Sequence, residues 1–289
     1  MMKIPWYTHL IIERVLKLNF KSIAKSPLRI GAGKAVNPFS PVDLPVLTIR
    51  FGDDLVPYIP GSSLKGVFRS TSEYIGKTVG LKDICMLGEG CRLKYDEMLQ
   101  HFMKEGTAEQ QIIETLSKYC LICKMYGSGT FSSHIEFSDM YPIMETVSRS
   151  IKTGIAIDRK SGAAKRGALY QVEFLNPGST FTGSITMKNL PNYAVGLISL
   201  VLDQINSGFV RVGGFKSRGF GEISLEPTGV SGYIMRDGSI IEFKPGVQVT
   251  LDPLDEYDTA VTFDPAEPLK LLESCKKAWV NFVQKVVKK

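Results

Sequence analysis

The chain has 289 residues, 44% of them hydrophobic, enough for a substantial core in one elaborated domain or two lobes. Its formal net charge of +6 is compatible with nucleic acid without selecting it. No apolar run approaches the roughly 20 residues of a membrane span, and the N-terminus lacks an uninterrupted signal-peptide core and a small-residue cleavage site, so the expectation is a cytoplasmic protein without a membrane partner.

In chain order, Leu10–Phe20 reads mostly as strand, continuing toward Ile30 and broken by Gly31-Ala32-Gly33. Asn37–Pro45 is a proline-rich loop. Val46–Phe51 and Leu55–Ile59 flank the turn Gly52-Asp53-Asp54 as strands. Ser62–Val79 is the first major helix. Leu81–Tyr119 is an insertion, with helices around Asp96–Lys104 and from Ala108 to Tyr119. Ile135–Asp139 is a short strand. Ser148–Leu169 is polar and basic, with neither helical nor strand period. Tyr170–Phe174 and Thr180–Lys188 are strands around the turn Asn176-Pro177-Gly178. Ala194–Ile205 is a well-buried helix. Phe209–Val212 and Gly221–Glu226 form a terminal hairpin around a glycine-rich turn, and Asp264–Lys288 is an amphipathic helix. Strands and two main helices in this order predict an α+β fold, a ferredoxin-like βαββαβ core with large insertions.

Three stretches are suited to phosphate. In YIPGSSLKGVFR (58–69), Pro60 favours an extended approach, Gly61 permits a tight turn, and Ser62 and Ser63 are natural N-caps. Lys65 and Arg69, four apart, share a helix face, so backbone N–H groups, hydroxyls and two cations converge where an anion binds well. An ordinary capped helix with two solvated cations fits the same residues. Around IDRKSGAAKRGALY (157–170), Arg149, Lys152, Arg159, Lys160, Lys165 and Arg166 are opposed mainly by Asp158, a pattern of a solvated loop or of a projecting, phosphate-contacting arm. In VGGFKSRGFGE (212–222), Gly213, Gly214, Lys216 and Arg218 suit a backbone nest, and Phe215 or Phe220 can stack on a base; a tight turn fits equally. The spacing is not that of a Walker loop.

Five cysteines, an odd number, argue against a disulfide framework. Cys85 and Cys91 form C-x5-C, and Cys120 and Cys123 form C-x2-C. Together they can make a structural zinc site of four thiolates, with no open position for catalysis; four reduced cysteines are the alternative. His101 and His134 are substitute ligands. Cys275, alone in the last helix, reads as simply buried.

PGSSLKGVFR, IDRKSGAAKRGALYQVEFLNPGSTF and VGGFKSRGFGE, in this order and with CLICKMYGSG followed by SHIEFSDMY, resemble the RAMP superfamily of CRISPR-associated proteins. The similarity spans roughly Leu28 to Leu225 and is strongest to the multi-copy backbone subunit of type III effector complexes. The resemblance implies a modified ferredoxin-like (RNA-recognition-motif-like) core over 1–226, a cysteine-containing insertion at 81–134, a basic β-hairpin thumb at 148–170, and a C-terminal helical extension at 227–289. It implies guide RNA and complementary target RNA as partners, with other subunits of the complex and copies of this chain. Ser62, Ser63, Lys65 and Arg69 would grip the guide backbone, Arg159, Lys160, Lys165 and Arg166 would sit on the thumb, and Gly213–Arg218 would form the glycine-rich loop on the RNA.

In such subunits an aspartate in the loop before PGSS cleaves target RNA with a divalent metal. The matching stretch here, GAGKAVNPFSPVDLPV, places Asp43 at that position, where a carboxylate can hold Mg²⁺ or orient the attacking 2′-hydroxyl. NPFSP departs from the small-residue pattern of that loop, and Asp beside Pro also caps turns readily. A purely architectural guide-binding subunit is therefore the alternative. A guide-processing endoribonuclease is a third reading, for which His9, His101 and His134 show no recognisable constellation.

Overall fold

Alternation in RVLKLNFKSIA sets the first strand. β1 (Arg14–Ala24) buries Leu16, Leu18, Phe20 and Ala24 on one face and turns Lys17, Asn19 and Lys21 to the other, the period of two of a half-buried strand. In the computed structural model, which describes residues 5–31, 42–86, 89–105 and 109–287, this strand lies at the centre of the main sheet. Ala32, Gly33 and most of the proline-rich loop expected at Asn37–Pro45 lie outside the described residues.

The hairpin of β2 (Thr48–Phe51) and β3 (Asp54–Pro57) leads into α1 (Gly61–Thr78). The insertion that follows holds the short α2 (Glu89–Cys91), a π-helical turn over Arg92–Asp96, α3 (Glu97–Lys104), α4 (Glu109–Ser117) and α5 (Leu121–Tyr126). The chain rejoins the sheet in β4 (Ile135–Phe137) and β5 (Tyr141–Pro142), then leaves it as a long hairpin of β6 (Arg149–Ile157) and β7 (Ala164–Leu175). It returns in β8 (Thr180–Lys188), crosses in α6 (Asn192–Asn206) and runs back in β9 (Ile223–Arg236). After β10 (Ser239–Glu242) come the small ladder of β11 (Val249–Leu251) with β12 (Val261–Phe263), and α7 (Pro268–Val287).

The main sheet has the order β10-β9-β1-β8-β4, antiparallel at every pairing, with β5 also on β8. Without the insertions the chain order is β1-α1-β4-β8-α6-β9 and the spatial order β9-β1-β8-β4, which is the ferredoxin-like arrangement read from the sequence. α6, apolar around nearly its whole circumference, is buried against β9 on one side and α7 on the other. The open face of β1 and β8 pairs Lys17, Asn19 and Lys21 with Thr186, Ser184 and Thr182. It presents no aromatic side chain on these two strands for a base to stack on.

Three expectations change. Ser148–Leu169, read as lacking strand period, is mostly paired strand in the hairpin that the resemblance implied, and β7 starts at Ala164 rather than Tyr170. Both of its faces are wet over most of its length, so burial wrote no period into the sequence. Phe209–Val212 is not a strand; one bond from Val212 N–H to the Gly221 carbonyl, 2.8 Å, closes the loop. The boundary expected between 226 and 227 falls inside β9, which pairs with β1 from Ala24↔Ile223 to Arg14↔Ile234.

The acidic stretch after residue 250 packs on the core. The Asp258 carboxylate accepts the backbone N–H groups of Asn192 (3.1 Å) and Tyr193 (3.3 Å), capping α6. Asp255 accepts the Trp6 indole N–H (3.0 Å) and the Tyr193 hydroxyl (2.7 Å). Buried Arg14 donates to the carbonyls of Leu190 and Asp252. Cys275 is fully buried, as expected.

Candidate nucleic-acid interface and metal centre

Four short segments of the chain meet where the β6–β7 hairpin leaves the core. Leu44 lies alongside β7, its N–H donating to the Gln171 carbonyl (3.1 Å) and its carbonyl accepting from Glu173 N–H (3.1 Å). This register brings the exposed Asp43 carboxylate to the Gln171 N–H, 2.6 Å from Oδ2. Glu173 accepts from Val46 N–H (2.9 Å) and faces Arg149 (3.7 Å), which donates to the Leu55 carbonyl (2.7 Å). The Asp43 loop, the hairpin base and β3 are thus one network.

The glycine-rich loop docks on the same place. Gly214 N–H donates to the Arg29 carbonyl (2.8 Å). Gly213 has φ +86°, and a Cβ there would meet that same carbonyl oxygen at 2.3 Å, so both conformation and space require glycine. Phe215 holds a left-handed φ of 58° and has two guanidiniums over its ring, Arg29 at 5.5 Å and Arg218 at 5.2 Å from the centroid. Arg218 also donates to the Tyr170 hydroxyl on β7 (2.7 Å). Lys216 and Arg218 are exposed. Phe220 is buried against Phe174 (5.5 Å) and Phe215 (5.7 Å), with Lys152 above it, so it is a packing residue and not available for stacking.

The hairpin itself is a cation carrier. Its turn is held by the Asp158 carboxylate, which accepts N–H bonds from Lys160 (2.9 Å) and Ser161 (3.0 Å); the Ser161 and Lys160 N–H groups hold the carboxyl below the usual aspartate value. Arg159, Lys160 and Lys165 around this turn are all exposed. The Arg166 side chain lies outside the described residues.

At α1 the structure corrects the sequence reading. The N-cap is Pro60 (φ −61°, ψ 138°), so Ser62 and Ser63 lie within the first turn rather than capping it. Gly61 is needed because the Phe137 carbonyl passes 2.2 Å from where a Cβ would stand, rather than for a turn. Its N–H donates to Asp139 Oδ1 (2.8 Å). A carboxylate from another part of the chain thus already faces the positive helix end. Ser62 is exposed, and Lys65 is half-buried, its ammonium pushed below the ordinary lysine value by burial and then by the Arg69 charge. Arg69 does not accompany them outward. Its Nε donates to Glu73 (3.1 Å), Nη1 to the Gly127 carbonyl (3.0 Å) and Nη2 to the Cys123 sulfur (3.4 Å).

Cys85, Cys91, Cys120 and Cys123 come together in the insertion. All are buried and reduced, with their four sulfurs within 4.8 Å of one another. The Sγ of Cys85 is 3.3 Å from that of Cys123 and 3.6 Å from that of Cys120. A tetrahedral zinc with bonds of about 2.3 Å needs sulfurs about 3.8 Å apart, so this donor set can hold such a metal. Cys120 is the N-cap of α5, and N–H groups point at two sulfurs, Cys120 N at Cys91 Sγ (3.2 Å) and Cys123 N at Cys120 Sγ (3.5 Å). Hydrogen bonding among the thiols, with that of Cys120 foremost, lowers the Cys85 thiol and raises those of Cys91 and Cys123. A metal held by all four as thiolates would displace the protons that these bonds share.

His101 is exposed and outside this cluster. His9 and His134, which showed no constellation in the sequence, stack at 4.1 Å and 7°, with His134 buried and its Nδ1 at the Lys188 carbonyl (3.0 Å). Sequence reasoning also missed Arg29, Tyr170, Gln171 and Asp139. Each acts through a partner remote in the chain, so no local signal marked it.

The family model of the RAMP superfamily matches residues 23–224, well over half of the chain. The chain belongs to this superfamily. Its function is accordingly CRISPR-associated RNA binding, and proteins of this superfamily typically work in multi-subunit CRISPR complexes. A search of curated proteins finds no match. Among the described residues no helix is long and apolar enough to cross a membrane.

Proposed function

We propose that the chain is a guide-RNA-binding backbone subunit of a type III CRISPR interference complex and that Asp43 serves in metal-dependent cleavage of a complementary target RNA. The observation that carries this reading is the position of the Asp43 carboxylate. It is exposed, fixed by Gln171 N–H, and set at the root of a basic hairpin against a loop bearing Lys216 and Arg218. A strand of RNA lying across the root would meet cations on both sides, and a hairpin reaching past it would interrupt base pairing next to the carboxylate. The contacts are to backbone, as a guide of variable sequence requires.

Asp43 would hold a divalent cation such as Mg²⁺, which stabilises charge developing on the scissile phosphate when the 2′-hydroxyl attacks. Arg218, steadied by Tyr170, and Lys216 would orient the phosphate. Ser62, Ser63 and Lys65 would contact the guide backbone farther along. In this reading residues 81–134 are a zinc-stapled insertion, 148–170 the thumb, and the chain after 227 a brace on the core, with other subunits and further copies of the chain completing the filament.

A second reading, a guide-binding subunit that does not cut, draws on one observation. Among the described residues, Asp43 belongs to no group of three or more side chains able to ligate a metal. Asp43→Ala in the assembled complex decides between them. Cleavage opposite this subunit in Mg²⁺ should fall by at least about 100-fold, with assembly and guide binding unchanged. Unchanged cleavage assigns the chain the architectural role.

A further inference from the structure

Arg69 belongs to a motif in which Ser62 is exposed and Lys65 half-buried, yet all three of its own nitrogens are engaged inside the protein. We propose that Arg69 is a positioning residue of the cysteine cluster, which balances the thiolate charge and fastens α1 to the metal-bound insertion. The inference rests on the reading that the four cysteines hold zinc.

Four thiolates around Zn²⁺ carry a net charge of −2, and burying that charge is costly unless it is paired. Two of the donors to the sulfurs are neutral backbone N–H groups, those of Cys120 and Cys123. Arg69 Nη2, 3.4 Å from Cys123 Sγ, adds a full positive charge. Lys124 is near, but its ammonium lies over the Tyr7 ring at 4.5 Å and donates to the Ser117 carbonyl (2.7 Å).

The guanidinium is held in its plane by three different parts of the chain: Glu73 one turn on in α1, the carbonyl of Gly127 just beyond α5, and the sulfur. This use of a rigid fork is beyond a lysine. Lys65 stands four residues earlier on the same helix, so the anchor that orders the metal site also fixes where α1 holds this half-buried cation.

The test uses the full chain loaded with zinc or with Co²⁺. Arg69→Met should weaken zinc affinity, measured by competition with a chromogenic chelator, by about 10- to 100-fold, and should shift the thiolate-to-Co²⁺ absorption band. Arg69→Lys should release zinc several-fold faster than wild type and more slowly than R69M; it serves where R69M does not fold. With zinc saturating, the salt dependence of RNA binding by R69M should match wild type. Unchanged zinc affinity and Co²⁺ spectrum, with an RNA salt slope reduced by about 0.7, would make Arg69 a phosphate contact and overturn the proposal. If wild type takes up neither metal, the zinc reading itself falls, a result distinct from R69M behaving like a metal-binding wild type.

Discussion

The hairpin of β6 and β7 and the cysteine-bearing insertion between α1 and β4 are both inserted into the ferredoxin-like core, but of the two the insertion has an interior. Leu99, Tyr119, Ile122, Met125 and Tyr126 are buried there with the four cysteines. Asp96, itself buried, accepts from the Tyr119 hydroxyl (2.7 Å) and the Ser128 hydroxyl (3.0 Å). The hairpin exposes Ile151, Ile155, Ile157 and Leu169 along with its cations, and is tied down near its root by Arg149 with Glu173, Tyr170 with Arg218, and Lys152 over Phe220. The insertion stores its stability in contacts, around four thiols able to hold a metal. The hairpin stores almost none and offers surface instead. Substitutions should therefore act on stability in one and on RNA binding in the other.

The largest break in that contrast is expected at the metal set. Cys123→Ser removes one of four ligands and should cost on the order of 5 kcal/mol of metal-linked stability, read as lost zinc and rapid proteolysis between residues 81 and 134. The β6–β7 hairpin should be cleaved no faster than in wild type. Equal protection of the insertion in C123S would show that its apolar interior suffices without metal.

Acid should separate the two regions next. Burial first, then the charges of His9 and Lys188, hold the His134 imidazole down at about 4, below the ordinary 6.5. Between these values the unfolded chain binds a proton that the folded chain refuses, so stability falls as pH drops from 6.5 to 4, by about 3 kcal/mol in total. From about one pH unit above 6.5 the imidazole is neutral in both states and its contribution to the slope vanishes. Trp6 packs against His134 at 5.8 Å and Trp279 is buried in the core, so urea unfolding followed by tryptophan fluorescence should show the loss, and His134→Gln should flatten it. The hairpin should not share it, because Asp158 is held ionised below the usual aspartate range by Ser161 and Lys160 N–H groups.

The same contrast explains what the sequence disclosed. The core was legible because burial imposes period: alternation in β1, and an apolar circumference for α6. The metal set was legible because ligand chemistry restricts residue type. The hairpin strands were hidden because nothing buries their faces. The inward turn of Arg69 was hidden because helix spacing places it beside Lys65, while Gly127 and Cys123 that hold it are more than fifty positions away. Asp139 took the helix end assigned to Ser62 and Ser63 for the same reason, since its approach to Gly61 is fixed by sheet pairing. Asp43 could be aligned by motif, but its bond to Gln171 depends on the register of Leu44 along β7.

The smallest effect on stability, and the sharpest on function, is expected at the hairpin tip. Lys160 and Lys165 are exposed, and among the described residues neither makes an ion pair within 4 Å, so Lys160→Ala or Lys165→Ala should change unfolding free energy by less than about 0.5 kcal/mol. If each cation neutralises one phosphate, each substitution should lower the slope of log affinity for single-stranded RNA against log salt by about 0.7, and the double variant by about twice that. C123S carrying a refolded or truncated insertion should leave this slope alone, which makes the two sets of variants mirror images. A hairpin whose double variant keeps the full wild-type slope contacts no phosphate, and the cations that hold RNA must then be sought at Lys65, Lys216 and Arg218.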